Sequence, residues 1–328
     1  MSLLRLPADA LAWLGRRGTS TLPLMAVVGI GVPVLGTLLK PLVALAVFLL
    51  LVLAFLRVDL TALSDHAKRP MIVVAIMIWT MLVLPACLCW GYHLVGIDVR
   101  SPDLMLALVL QAATSPMMSS PAIAAMLGLD AALVLLGMVA CTALVSFSAP
   151  AFVRVFVGDV VPISPLALGF KLSAMLVGSA LTALVIRRWA GRARIVRYTE
   201  HFDGLSVILM FIFIAAVTGG VGAVLLSDPL LALGLAALAF ALTLLLSGST
   251  MIVFARLGRS QAAALGLMAS QRNMGLMLGA AGAVLPDLVW LYLGLAQLPI
   301  YTLPQLMKPL LRRYLRPDTR EESHFAKN

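Results

Sequence analysis

The sequence predicts an all-α integral membrane protein: ten transmembrane helices in two inverted five-helix repeats, with the fourth and ninth helices discontinuous. Three observations carry this expectation. Apolar runs of spanning length follow one another along almost the whole chain. Lys and Arg gather in alternate loops. Polar residues interrupt the middle of two runs that hold corresponding places in the two halves.

The runs come first. Hydrophobic residues make up 62% of the chain and charged residues 12%, whereas soluble domains sit near one half and one quarter. A span needs about 20 mostly apolar residues. The candidates are Thr21–Leu39, Leu42–Leu56, Met71–Cys89, Leu104–Gly128, Ala131–Phe152, Leu166–Ile186, Leu205–Leu226, Leu230–Phe254, Ala262–Leu285 and Val289–Met307. The second is short, and Arg57 at its end is placed to snorkel. Ahead of the first, Leu3–Trp13 reads as an interfacial amphipathic segment. Arg5, Arg16 and Arg17 precede an apolar stretch that is long for a signal peptide and lacks a small-residue cleavage pattern. The first span is therefore expected to stay uncleaved. The organisation is an amphipathic N-terminus over 1–20, a transmembrane domain over 21–311 and a basic tail over 312–328.

Charge orients the runs. Nineteen Lys and Arg fall at the N-terminus, in the loops after spans two, six and eight, and in the tail. The opposite side holds only Lys40, Arg100 and Arg154. Such asymmetry marks the cytoplasmic face, so both termini are expected in the cytoplasm of a plasma (inner) membrane. The net charge of +10 is spent in loops facing lipid headgroups, which leaves no basic face for nucleic acid. The partner implied is the lipid bilayer; oligomeric state is not encoded legibly. Cys87, Cys89 and Cys141 lie inside apolar runs and form no disulfide framework.

Ten spans divide into five and five, so the second half, 166–311, enters the membrane from the face opposite to the first, 21–152. This is the inverted-repeat plan of many transporters. Span four carries Gln111, Thr114, Ser115, Pro116, Ser119, Ser120 and Pro121 at mid-length. Two prolines five apart interrupt a helix, and Ser120-Pro121 reads as a cap followed by a first-turn proline. Span nine carries Ser270, Gln271, Arg272 and Asn273 in its middle. Arg272 lies about 19 Å beyond Arg259 and about 22 Å before Asp287 at the helical rise, too deep to snorkel. A charge at that depth is a functional residue by default. The fourteen carboxylates all lie in loops, tails or span ends, so a carboxylate proton relay is not expected. The natural counter-charge to Arg272 is then a substrate anion. Thr114, Ser115, Ser119, Ser120, Ser270, Gln271, Arg272 and Asn273 are the candidate substrate-binding residues.

These motifs, Ser119-Ser120-Pro121 followed by a Leu-Gly-Leu-Asp turn at Leu127–Asp130, and Asn273-Met274-Gly275-Leu276, resemble those of the bile acid:sodium symporter family, over roughly Leu22 to Leu311. The resemblance implies a panel of spans one, two, six and seven. It implies a core of spans three to five and eight to ten, in which the broken helices cross and which moves against the panel. The chain departs from the family at the sodium sites. Met268 and Arg272 stand where sodium-using members carry a glutamate and a glutamine, Ser120-Pro121 stands for Ser-Asn, and two hydroxyl positions fall at Val134 and Met138. The expectation is a secondary transporter of a small organic anion, sodium-independent or weakly coupled, with Arg272 standing where sodium would and with no cofactor. A passive channel or a transporter-like sensor is the alternative. An intramembrane enzyme is disfavoured: there is no His-Glu-x-x-His pattern, and His66, His93, His201 and His324 lie in loops, the tail or a span end.

Overall fold

The computed structural model describes Trp13 and residues 27–57, 70–158 and 164–315. The amphipathic segment (Trp13 apart), the stretch from 14 to 26, the loop after Arg57 and the tail beyond 315 lie outside the described residues. In chain order the helices are α1 (Pro33–Arg57), α2 (Met71–Leu94), α3 (Ile97–Arg100), α4 (Pro102–Ala113), α5 (Ser120–Met126), α6 (Ala131–Phe156) and α7 (Pro165–Ala190). They continue as α8 (Arg192–Arg197), α9 (Thr199–Ser227), α10 (Pro229–Val253), α11 (Arg259–Ser270), α12 (Met274–Ala281), α13 (Asp287–Leu295) and α14 (Gln297–Tyr314). Among the described residues there is no strand, and the β-type pairing found is an isolated antiparallel bridge between Pro116 and Arg272.

Six of these helices, α1, α2, α6, α7, α9 and α10, are long and apolar enough to cross a membrane. Their outer faces are apolar too: on α7, Phe170 is 76% exposed and Leu181 56%. Contiguous exposed apolar surface of that extent belongs in lipid. The chain is an all-α, multi-pass membrane protein.

Several helices start on one local device, a capping side chain followed by proline. Ser101 Oγ accepts from the Leu104 amide at 3.3 Å ahead of Pro102. Ser164 Oγ does so from Ala167 at 3.4 Å ahead of Pro165, and Asp228 from Leu231 at 3.0 Å ahead of Pro229. The cap satisfies an orphan amide, and proline sits where its missing amide costs nothing.

The first spans differ from the reading that ended one at Leu39 and began the next at Leu42. The chain breaks at Val32 (φ −126°, ψ 78°), and Pro33–Arg57 then runs as one helical stretch of 25 residues. Lys40 keeps helical dihedrals, and Pro41 falls in a single 3-10 turn, Lys40–Leu42. Pro41 therefore only perturbs the helix, whereas Val32 takes the non-helical backbone favoured before a proline. Likewise α13 and α14 join through Ala296 in helical dihedrals.

Helix α9 lies innermost of the long helices. Glycines let neighbouring backbones meet it closely. A Cβ on Gly36 of α1 would sit 2.6 Å from the Gly219 Cα, and one on Gly294 of α13 would sit 2.6 Å from the Val217 carbonyl oxygen. Helix α9 thus holds α1 on one flank and α13 on another, and the two interrupted helices pass through the packed interior beside it.

Candidate functional site

Helix α4 ends at Ala113 because Thr114 turns extended (φ −73°, ψ 154°). Helical structure resumes at Ser120, with Pro121 in the first turn; Ser119 holds the cap position without a side-chain cap bond. The restart is one residue earlier than Ser120-Pro121 as cap and first turn implies. Helix α11 ends at Ser270, whose Oγ donates back to the Leu267 carbonyl at 2.9 Å. Helix α12 begins after Asn273, whose Oδ1 accepts from the Leu276 amide at 3.1 Å.

The two interruptions lie against each other. The Asn273 amide donates to the Ser115 carbonyl at 2.8 Å, and the Met117 amide donates to the Gln271 carbonyl at 2.6 Å. Pro116 faces Arg272 between these bonds. That is the position of an antiparallel pair where neither residue bonds its opposite through its own amide. Proline, which has no amide to give, fits there without leaving an acceptor unpaired. Thr114 Oγ1 adds a bond to the Asn273 carbonyl at 3.0 Å.

Arg272 fills the crossing and is 0% exposed. Its Nη1 donates to the Thr114 carbonyl at 2.7 Å, and Nη1 and Nη2 both reach the Thr80 carbonyl at 3.3 Å. Each acceptor is free for a local reason. Thr114 is the last residue before the α4 break, where carbonyls lose their helical donors. Thr80 lies in a π turn, Trp79–Val83, in which the Leu84 amide reaches back to Trp79. In that register the next donor would come from residue 85, which is Pro85, so the Thr80 carbonyl has no backbone partner. The guanidinium takes its place. No ion pair of Arg272 with a carboxylate is found among the described residues; those found involve other residues, as in Arg57–Asp203 at 2.7 Å and Lys40–Asp287 at 3.8 Å.

All eight sequence-derived residues are thus gathered at, or one turn from, one crossing. Their exposure differs. Thr114, Ser115 and Ser120 are fully buried, Gln271 is nearly so, and Ser119 and Asn273 are half-buried. Thr80 Oγ1, Ser115 Oγ, Ser120 Oγ, Thr142 Oγ1, Gln271 Oε1 and Arg272 Nε are buried without hydrogen-bond partners. Such groups are costly unless something pairs with them. A crevice between α10, α11 and α14 brings Ser270 and Gln271 toward Thr243 and Ser247.

Sequence reasoning missed three parts. Thr80 contributes a backbone oxygen, and its only signal was Pro85 five residues on. Thr243 and Ser247 are small polar residues in a long apolar run, one turn apart on one face of α10. Tyr292 donates its hydroxyl to Gln111 Oε1, tying α13 to α4 just before the break. Protein-family models give no match to this chain, and neither do the curated proteins.

Proposed function

We propose that the chain is a secondary transporter that moves a small organic anion by alternating access, through ten spans in two inverted halves. The observation that carries this reading is the crossing of two interrupted helices around a buried guanidinium with no carboxylate partner among the described residues. Irregular backbone at membrane depth is tolerated only inside protein or beside a wet cavity, and transporters place their sites there. The uncompensated positive charge, in low dielectric, favours a negative ligand nearby. Its terminal nitrogens are engaged and its side chain is buried, so Arg272 acts on the ligand by its field.

The carbonyl oxygens of Thr80 and Thr114 meet the guanidinium as they would meet a bound cation. A sodium ion at the same place needs oxygen ligands and would face a fixed like charge. The residues present therefore do not fit sodium. A filled crossing also favours a carrier over a continuous pore.

The test is uptake of a panel of organic anions by proteoliposomes. Uptake should be unchanged when sodium is replaced by potassium, and abolished in Arg272→Gln, with part retained in Arg272→Lys. Sodium-specific stimulation would sink the fixed-cation reading, and undiminished uptake by Arg272→Gln would sink the role of the charge.

A further inference from the structure

A cluster of arginines lies where α7 leads into α8 and α9. Gly191 (φ 76°, ψ 150°) ends α7 in a conformation that L side chains rarely adopt, and α8 departs from it. Ile195 turns inward and, like Ile186, Phe202 and Leu205, packs against the buried cluster of Leu53, Leu56, Ala183 and Leu209. Arg187 also turns inward: its Nη2 donates to the Phe55 and Leu56 carbonyls at 3.1 and 2.8 Å. What remains outward is Arg188, Arg194 and Arg197, interleaved with Trp189 (83% exposed), Val196 (65%) and Tyr198 (47%). Arg194 and Arg197 are three apart and so share a helix face.

Two features separate this corner from an ordinary solvated basic loop. Trp189 and Val196 have no reason to stand in water, whereas tryptophan beside arginine is the composition of a membrane interface. The charges also lack internal neutralisation: among the described residues Arg188, Arg194 and Arg197 make no ion pair, Asp203 is taken by Arg57 at 2.7 Å, and Glu200 is engaged in an interaction of its own. Guanidinium groups hold phosphate oxygens in pairs of parallel hydrogen bonds.

We propose that this corner is a binding site for the headgroup phosphate of an anionic phospholipid. Arg188, Arg194 and Arg197 hold the phosphate, and Trp189 seats at the boundary between headgroups and acyl chains. Because Arg187 roots the same corner in α1, a lipid held there braces α1, α7 and α9 as one unit.

The test is retention of phosphatidylglycerol against phosphatidylcholine by the detergent-purified full chain, read by native mass spectrometry. Wild type should retain phosphatidylglycerol selectively. Arg188→Gln, Arg194→Gln and Arg197→Gln together should weaken retention roughly tenfold or more, while Arg100→Gln with Arg154→Gln should leave it unchanged. Equal retention by the triple variant would overturn the proposal, as would displacement of the lipid by inorganic phosphate alone, which would mark a free-anion site. If the triple variant does not fold, Arg194→Gln and Arg197→Gln are measured singly. Each should lose about threefold, and no loss in either overturns the site.

Discussion

Arg272 and Thr80 show how one backbone irregularity creates the need for one side chain. The π turn and Pro85 leave a buried carbonyl without a donor, and the guanidinium supplies one. Removing the side chain orphans that oxygen and the Thr114 oxygen together. An unpaired buried acceptor costs about 1–3 kcal/mol, so Arg272→Met is expected to lower unfolding stability in detergent by about 2–4 kcal/mol, offset in part by relief from burying a charge. Arg272→Lys keeps one donor group and should fall between. Equal denaturation midpoints for Arg272→Met and wild type would contradict this. Arg272 was legible from sequence because a charge at mid-depth stands out against apolar neighbours. Its partner Thr80 was not, since a carbonyl leaves no mark on the sequence and a single proline in an apolar run reads as a simple kink.

At the level of elements, the interruptions were legible and one span boundary was not. Pro116 and Pro121 amid hydroxyls announce a break in α4–α5, and Ser270-Gln271-Arg272-Asn273 announces the other. For the first spans, two residue-before-proline sites competed, Val32 and Lys40. Only Val32 leaves the helical region; Lys40 keeps φ −50°, ψ −43°. Local rules allow both, and packing of α1 on α9 through Gly36 and Gly219 chooses between them. The same close approach gives paired expectations. Gly294→Ala drives a Cβ to 2.6 Å from the Val217 carbonyl oxygen and should destabilise by about 1–3 kcal/mol. Gly234→Ala on α10 meets nothing within 4 Å and should stabilise by about 0.5–1 kcal/mol. Thermal unfolding of the two variants side by side checks the contrast. Pro85→Ala tests the π turn: it returns an amide to α2, lets the Thr80 carbonyl pair within its own helix, and should reduce anion uptake without removing any charge. Full uptake by that variant would show that the π turn is incidental to transport.

For the whole molecule, composition alone settles the solvent. The helices carry their apolar residues outward as well as inward, which only lipid accommodates. The ten-span arrangement proposed above requires both termini on one side of the membrane, so single cysteines placed at Ser2 and Lys327 should react with an impermeant thiol reagent from the same face; reaction from opposite faces would force an odd count and overturn it. How the two interrupted segments meet could not be foreseen from composition or periodicity, because the meeting is made by two backbone hydrogen bonds between stretches that are neither helix nor sheet. Those bonds carry a kinetic consequence. The Met117 and Asn273 amides each donate across the crossing, on either side of the Pro116–Arg272 pair. Neither can be freed to exchange its proton for deuterium without loosening the segment that holds the other. Two amides remote in sequence should therefore exchange with a common, slow rate, and ligands that speed or slow one should shift both together.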